Sequence, residues 1–394
     1  MSWPLVKLTE VAEVNPRCSK DIDEDQIVSF VAMASASEEG VLLGEEPKIL
    51  KDTKKGFTYF ERGDVLLAKI TPCFENGKSL RPYQIKHQVG FGSTEFHVVR
   101  ADLEKLDPTY LFYLLWSDAF RFLGTNAMAG AAGQKRVGTP FLKQLEIPLP
   151  PLEEQKRIAA ILDKADVIRQ KRKQAIDLAD EFLRSVFLDM FGDPVTNPKG
   201  WEIKAIGELA TKVTDGEHQT PKREEKGYKL LSARNVQHGF LDVENEKVDY
   251  VGEAEFQRIT KRLSISKSDV LLSCSGTIGR VSMNTLNEPF CLVRSVAVIR
   301  LADNGVIPEF LVGYLGTSAL QAIMKKEANS SGQPNLFQNQ IKQLKVLVPP
   351  LELQAKYKRF LDHYKEKKAS LISGNEQQAL LFKSLSQKAF SGQL

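Results

Sequence analysis

The segment at residues 150–192, PPLEEQKRIAAILDKADVIRQKRKQAIDLADEFLRSVFLDMFG, recurs at residues 349–394 as PPLELQAKYKRFLDHYKEKKASLISGNEQQALLFKSLSQKAFSGQL. A shift of 199 lays Pro150, Pro151, Leu152, Glu153, Gln155, Leu162 and Asp163 on Pro349, Pro350, Leu351, Glu352, Gln354, Leu361 and Asp362, 7 identities in 14 positions. The register continues without a gap to Phe191 and Phe390. The chain is an internal duplication, and that constrains the fold more than any composition does: what one half builds, the other must be able to build again.

Both copies open as helices. A proline at the first helical position forgoes an N–H that has no intrahelical partner, and Glu153, Glu154 and Glu352 suit the positive end of the helix dipole. Gly192 and then Pro194 close the first copy. Between them Ile158, Ile161, Ala165, Ile168, Arg172, Ala175, Ala179, Phe182 and Val186 advance by alternating threes and fours, a heptad stripe that is apolar at every position but Arg172. The second copy reads Tyr357, Phe360, Tyr364, Lys367, Leu371, Gly374, Gln378, Leu381 and Leu385 in the same frame, with a soft middle where residues 373–375 are expected to kink or break the helix. Each stripe is expected to bury against the other, antiparallel, so that an internal two-fold relates the halves.

With 394 residues and 42% apolar content the chain has material for two globular cores beside these helices. A net charge of +4 permits a nucleic-acid partner without arguing for one. Four cysteines without paired spacing and five histidines away from metal-ligand intervals indicate no metal site. A start without a hydrophobic signal core and the lack of a long apolar run point to a cytoplasmic protein with no membrane partner.

Residues 1–149 form the first expected globular domain, 150–192 the central helix, 193–348 the second domain and 349–394 the C-terminal helix. Each half begins alike, with Trp3 and residues 5–11 mirrored by Trp201 and residues 203–209. Short β-type runs follow at 27–33, 64–70 and 96–100, then a helix at 108–123 and a glycine- and alanine-rich loop at 124–138. The second half repeats the order: residues 269–272 answer 64–67, 308–315 answer 108–115, and 330–335 answer the loop. Frames match while loops diverge. The expected class is α+β, two similar domains separated by two long antiparallel coiled-coil helices.

Here a family resemblance is plain. PLPPLEEQKRIAAILD with its degenerate second copy, FGDP after the first helix and a terminal KAFSGQL resemble the specificity subunit of Type I restriction-modification systems. GDVLLAKITPCFENGK and GFGSTEF in the first half, and DGEHQTPKR, SARNV and GTIGRV in the second, are similar to that family's target recognition domains. Leu353 in place of a glutamate, and Gly374, depart from the pattern. The resemblance implies a subunit without catalysis of its own. Each domain then binds half of a split double-stranded DNA site, and the helices act as a ruler and as docking surface for two methyltransferase subunits. Partners, including restriction/translocase subunits, bring S-adenosylmethionine, Mg²⁺ and ATP; this chain binds no cofactor.

The loops that suit DNA mix Arg, Lys, Asn and Gln with glycine, giving bidentate groups for base edges and backbone amides for phosphates. In the first half they offer Lys69, Asn76, Lys78, Arg81, Thr94, Gln134, Lys135 and Arg136. In the second they offer His218, Thr220, Lys222, Arg223, Arg234, Asn235, Ser275, Thr277, Arg280, Gln333 and Asn335. Taken singly, each is an ordinary polar turn; their equivalent places in two repeats argue for the set. The basic runs at 164–173 and 365–368 either meet spacer phosphates or are solvated faces.

Other motifs carry no chemistry. Gly77-Lys78-Ser79 has Pro72 where a phosphate-binding loop needs its first glycine. Asp193-Pro194 and Asn197-Pro198 lack the second proline and the aromatic of an amino-methyltransferase motif. Glu224 and Lys226 have nuclease-like spacing but no aspartate to complete a metal site. The rival reading is a coiled-coil scaffold that joins two proteins without reading sequence; two dissimilar loop sets on matching frames argue against it.

Overall fold

Each repeat opens a long helix, the central one at Leu152–Phe191 and the C-terminal one at Leu351–Ser391. The computed structural model describes residues 3–19, 21–81, 83–131, 133–303, 305–328 and 334–394. The chain divides into two compact units, Met1–Gln174 with Ser373–Leu394, and Ala175–Ile372. The four consecutive segments read from the sequence are thus combined differently: each long helix passes from one unit to the other part-way along.

In the first unit an antiparallel sheet runs Ala12–Val14, Phe96–Ala101, Val65–Ala68, Ser79–Leu80. A second sheet runs Glu46–Ile49, Ile27–Val31, Val89–Gly92, Thr58–Glu61, its inner pair parallel. The strand Leu5–Lys7 pairs with Glu146–Pro148, and the latter leads into the central helix. The second unit repeats the first sheet with Ala210–Asp215, Val296–Leu301, Val270–Ser273 and Val281–Met283. Its terminal pair is Glu202–Ala205 with Lys345–Val348. The second sheets differ: the parallel pair recurs as Tyr228–Leu231 with Phe290–Leu292, but the chain between them forms the helix Glu253–Arg262 where the first unit has the strand Thr58–Glu61. Buried carboxylates mark the shared frame. Asp64 holds Arg100 through two hydrogen bonds of 2.8 Å, and Asp269 holds Arg300 through bonds of 2.8 and 2.7 Å.

The expected helix at 108–123 is two helices, Pro108–Trp116 and Asp118–Asn126. Ser117 makes the break: its hydroxyl donates to the Leu114 carbonyl at 2.7 Å, closing one helix, and accepts the Phe120 amide at 3.2 Å, opening the next. Asn126 lies in that second helix, so the loop expected from residue 124 begins later.

The long helices correct the heptad reading in two ways. In the first unit the central helix turns Gln155, Ile158, Ala159, Leu162, Ala165 and Asp166 into the domain, packing them against the globular core as well as against the C-terminal helix. Ile168, placed on the seam by the heptad frame, is 45% exposed. In the second unit Phe187 and Phe191 are buried beside Phe310 and Tyr357, worth roughly 1.5–3 kcal/mol for each such ring. Where the helices do meet, they are antiparallel within each unit: Phe182 faces Phe360 and Asp180 binds Lys368 at 2.6 Å in the second, and Arg172 lies over Gly374 in the first.

The second correction concerns residues 373–375, where the C-terminal helix runs on unbroken. Gly374 serves close approach instead, since a Cβ there would stand 2.6 Å from Nη1 of Arg172. Both helices close on a left-handed glycine, Gly192 at φ 83° and Gly392 at φ 74°.

Candidate nucleic-acid interface

Three stretches of the first unit, distant in sequence, are tied into one junction by backbone hydrogen bonds. The Lys69 amide donates to the Glu95 carbonyl, the Val137 amide to the Lys69 carbonyl and the Thr71 amide to the Lys135 carbonyl, each at 2.9 Å. The adjoining ends of the two inner strands Val65–Ala68 and Phe96–Ala101 are therefore capped by residues 134–137. Thr94, Gln134 and Lys135 stand exposed there. Arg136 is held by Glu95 through bonds of 3.0 and 2.7 Å, and that hydrogen bonding holds the Glu95 carboxyl below the usual range.

Beneath the junction lies His97, 4% exposed, its Nε2 2.8 Å from the Val137 carbonyl and its Nδ1 3.2 Å from Nδ2 of Asn15. Those partners call for the tautomer with the proton on Nε2. Burial pushes the ring's pKa down, the bond to Val137 raises it, and the nearby Lys69 adds to the depression.

The second unit builds the same junction from other residues. The Cys274 amide donates to the Ser295 carbonyl at 2.9 Å and the Leu336 amide to the Cys274 carbonyl at 2.8 Å, while Ser275 bridges Asn335. Further strands of the loop cluster join here: the Ala233 amide donates to the Ser295 hydroxyl at 3.0 Å, and the Arg294 amide to the Glu217 carbonyl at 3.0 Å. Residues 217–223, 233–235, 275–280 and 335 thus converge. His218, Thr220, Lys222, Arg223, Arg234 and Thr277 are exposed. His218 contacts Asp215 at 3.0 Å, and Asp249 takes Arg223 at 3.1 Å, which ties down one basic group, while Lys222 makes no ion pair among the described residues.

Two of the residues singled out from the sequence are spent inside the protein. Arg81, with 15% of its side chain exposed, binds Asp166 of the central helix, donates to the Tyr113 hydroxyl at 3.0 Å and lies over the Phe112 ring, so it fastens the domain to the helix and has no free face for DNA. Asn235 is 1% exposed; its oxygen accepts the Ser232 amide at 3.0 Å and its nitrogen donates to the Asp242 carbonyl at 3.1 Å. The side chains of Asn76 and Lys78 are engaged within the protein, donating to Glu38 at 2.9 Å and to the Met33 carbonyl at 3.4 Å. Ser275, Asn335 and Arg280 are half-buried, and Gln333 lies outside the described residues.

Sequence reading missed Arg294, exposed at the place where the first half has Thr94, and Arg258 and Arg262 of the helix Glu253–Arg262. Arg258 approaches the buried Glu217 at 3.6 Å and Arg262 donates to the Asp215 carbonyl at 3.2 Å, which sets both beside residues 217–223. The signal was a basic helix face; its neighbour in space was not visible. What the arrangement offers chemically is a row of donors and amides at the ends of the inner sheet strands in each unit. Among the described residues no cluster of His, Cys, Asp and Glu is suited to a metal.

The family model of the Type I restriction modification DNA specificity domain matches residues 2–178 and again 198–381. The chain is 36% identical over 189 residues to the EcoAI Type I restriction enzyme specificity subunit of Escherichia coli, covering 47% of this chain and 32% of that protein. The chain thus spans about a third of the length of that relative. It is 24% identical over 296 residues to the MjaIX specificity subunit of Methanocaldococcus jannaschii, covering 70% of this chain and 66% of that protein. A solved chain of a type I R-M system shares the fold at a TM-score of 0.63 and 20% identity, covering 100% of this chain and 98% of that one. The S subunit from M. genitalium does so at a TM-score of 0.55 and 16% identity, covering 99% and 96%. With the specificity-domain model matched once in each half, over most of the chain, this protein belongs to the Type I restriction modification DNA specificity domain family.

Proposed function

We propose that this chain is the sequence-reading subunit of a Type I restriction-modification complex, each unit binding one half of a bipartite, asymmetric double-stranded DNA site. The observation that carries the reading is the shared junction with exchanged side chains: Lys69, Glu95 and Arg136 in the first unit, Cys274, Ser295 and Asn335 in the second, on the same backbone hydrogen bonds. A frame kept while its displayed groups change is what two readers of different sequences need, and a scaffold gains nothing from it. The DNA-facing set is Lys69, Thr94, Gln134, Lys135 and Arg136 in one unit. In the other it is His218, Thr220, Lys222, Arg223, Arg234, Ser275, Thr277, Arg280 and Asn335, with Arg258, Arg262 and Arg294 added. Gln333 remains in the set from sequence alone.

On this reading the chain performs no catalysis. The two long helices set the spacer between half-sites and dock two methyltransferase subunits, which supply S-adenosylmethionine; restriction/translocase subunits supply the Mg²⁺- and ATP-dependent steps. The test is to map methylated sites in cells carrying this chain with its methyltransferase partner, then repeat with Lys222→Ala. Loss of a base contact costs about 1–3 kcal/mol and relaxes one half of the motif, leaving the other half intact. A phosphate contact instead lowers affinity for all sequences and flattens the salt slope by about one unit. A motif and affinity indifferent to Lys222→Ala and Lys135→Ala alike would remove these loops from the DNA.

A further inference from the structure

The two units also differ where the short helix pair of each domain meets the long-helix segments. In the first unit this place is solid. Trp116 stacks on Phe112 with ring centroids 5.8 Å apart, meets Phe382 edge-on at 5.7 Å and donates its indole N–H to the Glu38 carbonyl at 3.0 Å. The Arg169 guanidinium covers the ring at 5.6 Å. The turn carrying Glu38 and Glu39 presses down on this cluster: a Cβ on Gly40 would fall 2.4 Å from the Phe112 ring, and Glu39 binds Lys173 at 2.7 Å. The Arg81–Asp166 ion pair closes the side.

In the second unit the same registers remove nearly all of this. Aligning Pro108 with Pro308 puts Val312, Gly313 and Gly316 where Phe112, Tyr113 and Trp116 stand. The shift of 199 puts Leu183 in the place of Phe382 and Lys365 in that of Asp166. Strand pairing, Leu66 with Leu80 and Leu271 with Ser282, puts Met283 in the place of Arg81. What results is an open groove of about 910 Å³, with Phe187, Tyr357, Val312 and Met283 among its lining residues. Phe240 at its rim is 55% exposed, and a Cβ on Gly239, the counterpart of Gly40, would meet no atom within 4 Å.

Basic groups outnumber acids around the groove, Arg184, Lys325, Lys365 and Lys368 against Asp180, Asp193 and Glu309. Arg184, Lys325 and Lys365 line it, and none of them is in an ion pair among the described residues. The acids that line it are already engaged: Asp180 by Lys368 and Tyr364, Glu309 by Lys358, and Asp193 by the amides of Val195 and Thr196 at 2.9 Å. His238 is also there, its pKa pushed down by burial and by the field of Arg280, Arg184 and Lys325.

We propose that this groove docks an acidic segment of a partner protein that inserts one aromatic side chain, supplying from outside what Trp116, Glu38 and Glu39 supply from within the first unit. The aromatic ring takes the place left by Trp116, and the flanking carboxylates meet Arg184, Lys325 and Lys365. A protein segment fits better than DNA, because stacked bases cannot enter a recessed apolar floor and phosphates gain nothing from one. Arg184, Phe187, Tyr357 and Lys365 of the groove's lining belong to the long helices to which the proposed function assigns methyltransferase docking, so the site deepens that reading, while it stands or falls separately from DNA reading.

The test pans a library of random dodecapeptides on the immobilised full chain, then measures the enriched peptides by fluorescence anisotropy against the wild type and the variants Gly316→Trp and Lys325→Glu. Enriched sequences should carry an aromatic residue with Asp or Glu beside it. Gly316→Trp, which refills the groove, should weaken them at least roughly ten-fold, as expected for loss of a buried aromatic anchor, and Lys325→Glu should weaken them without touching the floor. Mixed-sequence duplex DNA should not displace them, and DNA binding by Gly316→Trp should stay at the wild-type level. The proposal is overturned if no peptide enriches, if the enriched set lacks acids or aromatics, if duplex DNA competes, or if both variants bind the peptides as the wild type does. Should Gly316→Trp fold poorly by circular dichroism, Lys325→Glu decides alone.

Discussion

The side-chain carbonyl of Gln155 accepts the Asp107 amide at 2.9 Å, while its amide group donates to the carbonyls of Lys105 at 2.9 Å and Pro150 at 2.8 Å. Gln354 repeats this with the Ile307 amide at 2.9 Å and the carbonyls of Gly305 and Pro349 at 2.7 Å each. Both side chains are fully buried. One acceptor and two donors on an uncharged stem fasten the first turn of each long helix to the start of the domain's helix pair, and this explains why a glutamine stands among the identities between the repeats.

Gln155→Leu keeps much of the volume but strands three buried backbone groups, each costing about 1–3 kcal/mol when unsatisfied. With relaxation and water entry the net loss should be about 2–5 kcal/mol. Gln354→Leu should cost a similar amount. Urea unfolding of the full chain measures both, and midpoints equal to the wild type would show that these bonds are dispensable.

Gly374 is a different case, a residue that looked like a helix breaker and is not. A Cβ there meets only the tip of the Arg172 side chain, which can swing aside. Removing a mid-helix glycine favours the helix by about 0.8–1 kcal/mol. Gly374→Ala should therefore stabilise the chain by about 0.5–1 kcal/mol, read as a higher urea midpoint. A destabilised variant would mean that Arg172 must stay over Gly374.

The repeat, the long helices and the strand cores were legible because they rest on periodicity and register, which the chain carries locally. Ser117 was less visible: nothing in its neighbours says that one hydroxyl will end a helix and begin another. Arg81 and Asn235 were misplaced because an exposed turn and a buried anchor look alike in sequence. The partner that buries Arg81 is Asp166, 85 positions away. The open groove was invisible for the same reason, since it consists of what Gly316, Val312 and Met283 fail to fill.

His97 gives the first unit a dependence on acid. Its neutral ring is favoured in the folded chain, so its pKa lies below the unfolded value of about 6.5. Above that pH neither state holds the extra proton and His97 adds no slope. As pH falls below about 6.5 the unfolded ring takes up a proton that the folded ring refuses, and stability drops until the lowered pKa is reached. His97→Gln retains a donor for the Val137 carbonyl without the titration. Urea midpoints compared between about pH 7.5 and 5.5 should fall more steeply for the wild type than for the variant, and parallel curves would show that this ring does not titrate in that window.

If the long helices are the ruler between half-sites, their length is the quantity to change. The central helix has 40 residues, roughly 60 Å at 1.5 Å per residue, which compares with one to two turns of B-DNA at about 34–36 Å each. Seven residues inserted after Lys173 and seven after Ile372 keep the heptad frame and add roughly 10 Å to each helix. That corresponds to about three base pairs at ~3.4 Å each, so the unspecified spacer of the methylated motif should lengthen by about two to four base pairs. Three base pairs also rotate the groove by about 100°, and the modified complex should work less well even on its best site. The readout is the methylated motif in cells before and after insertion. An active complex that keeps its original spacer would assign the geometry to the recognition domains and not to the helices.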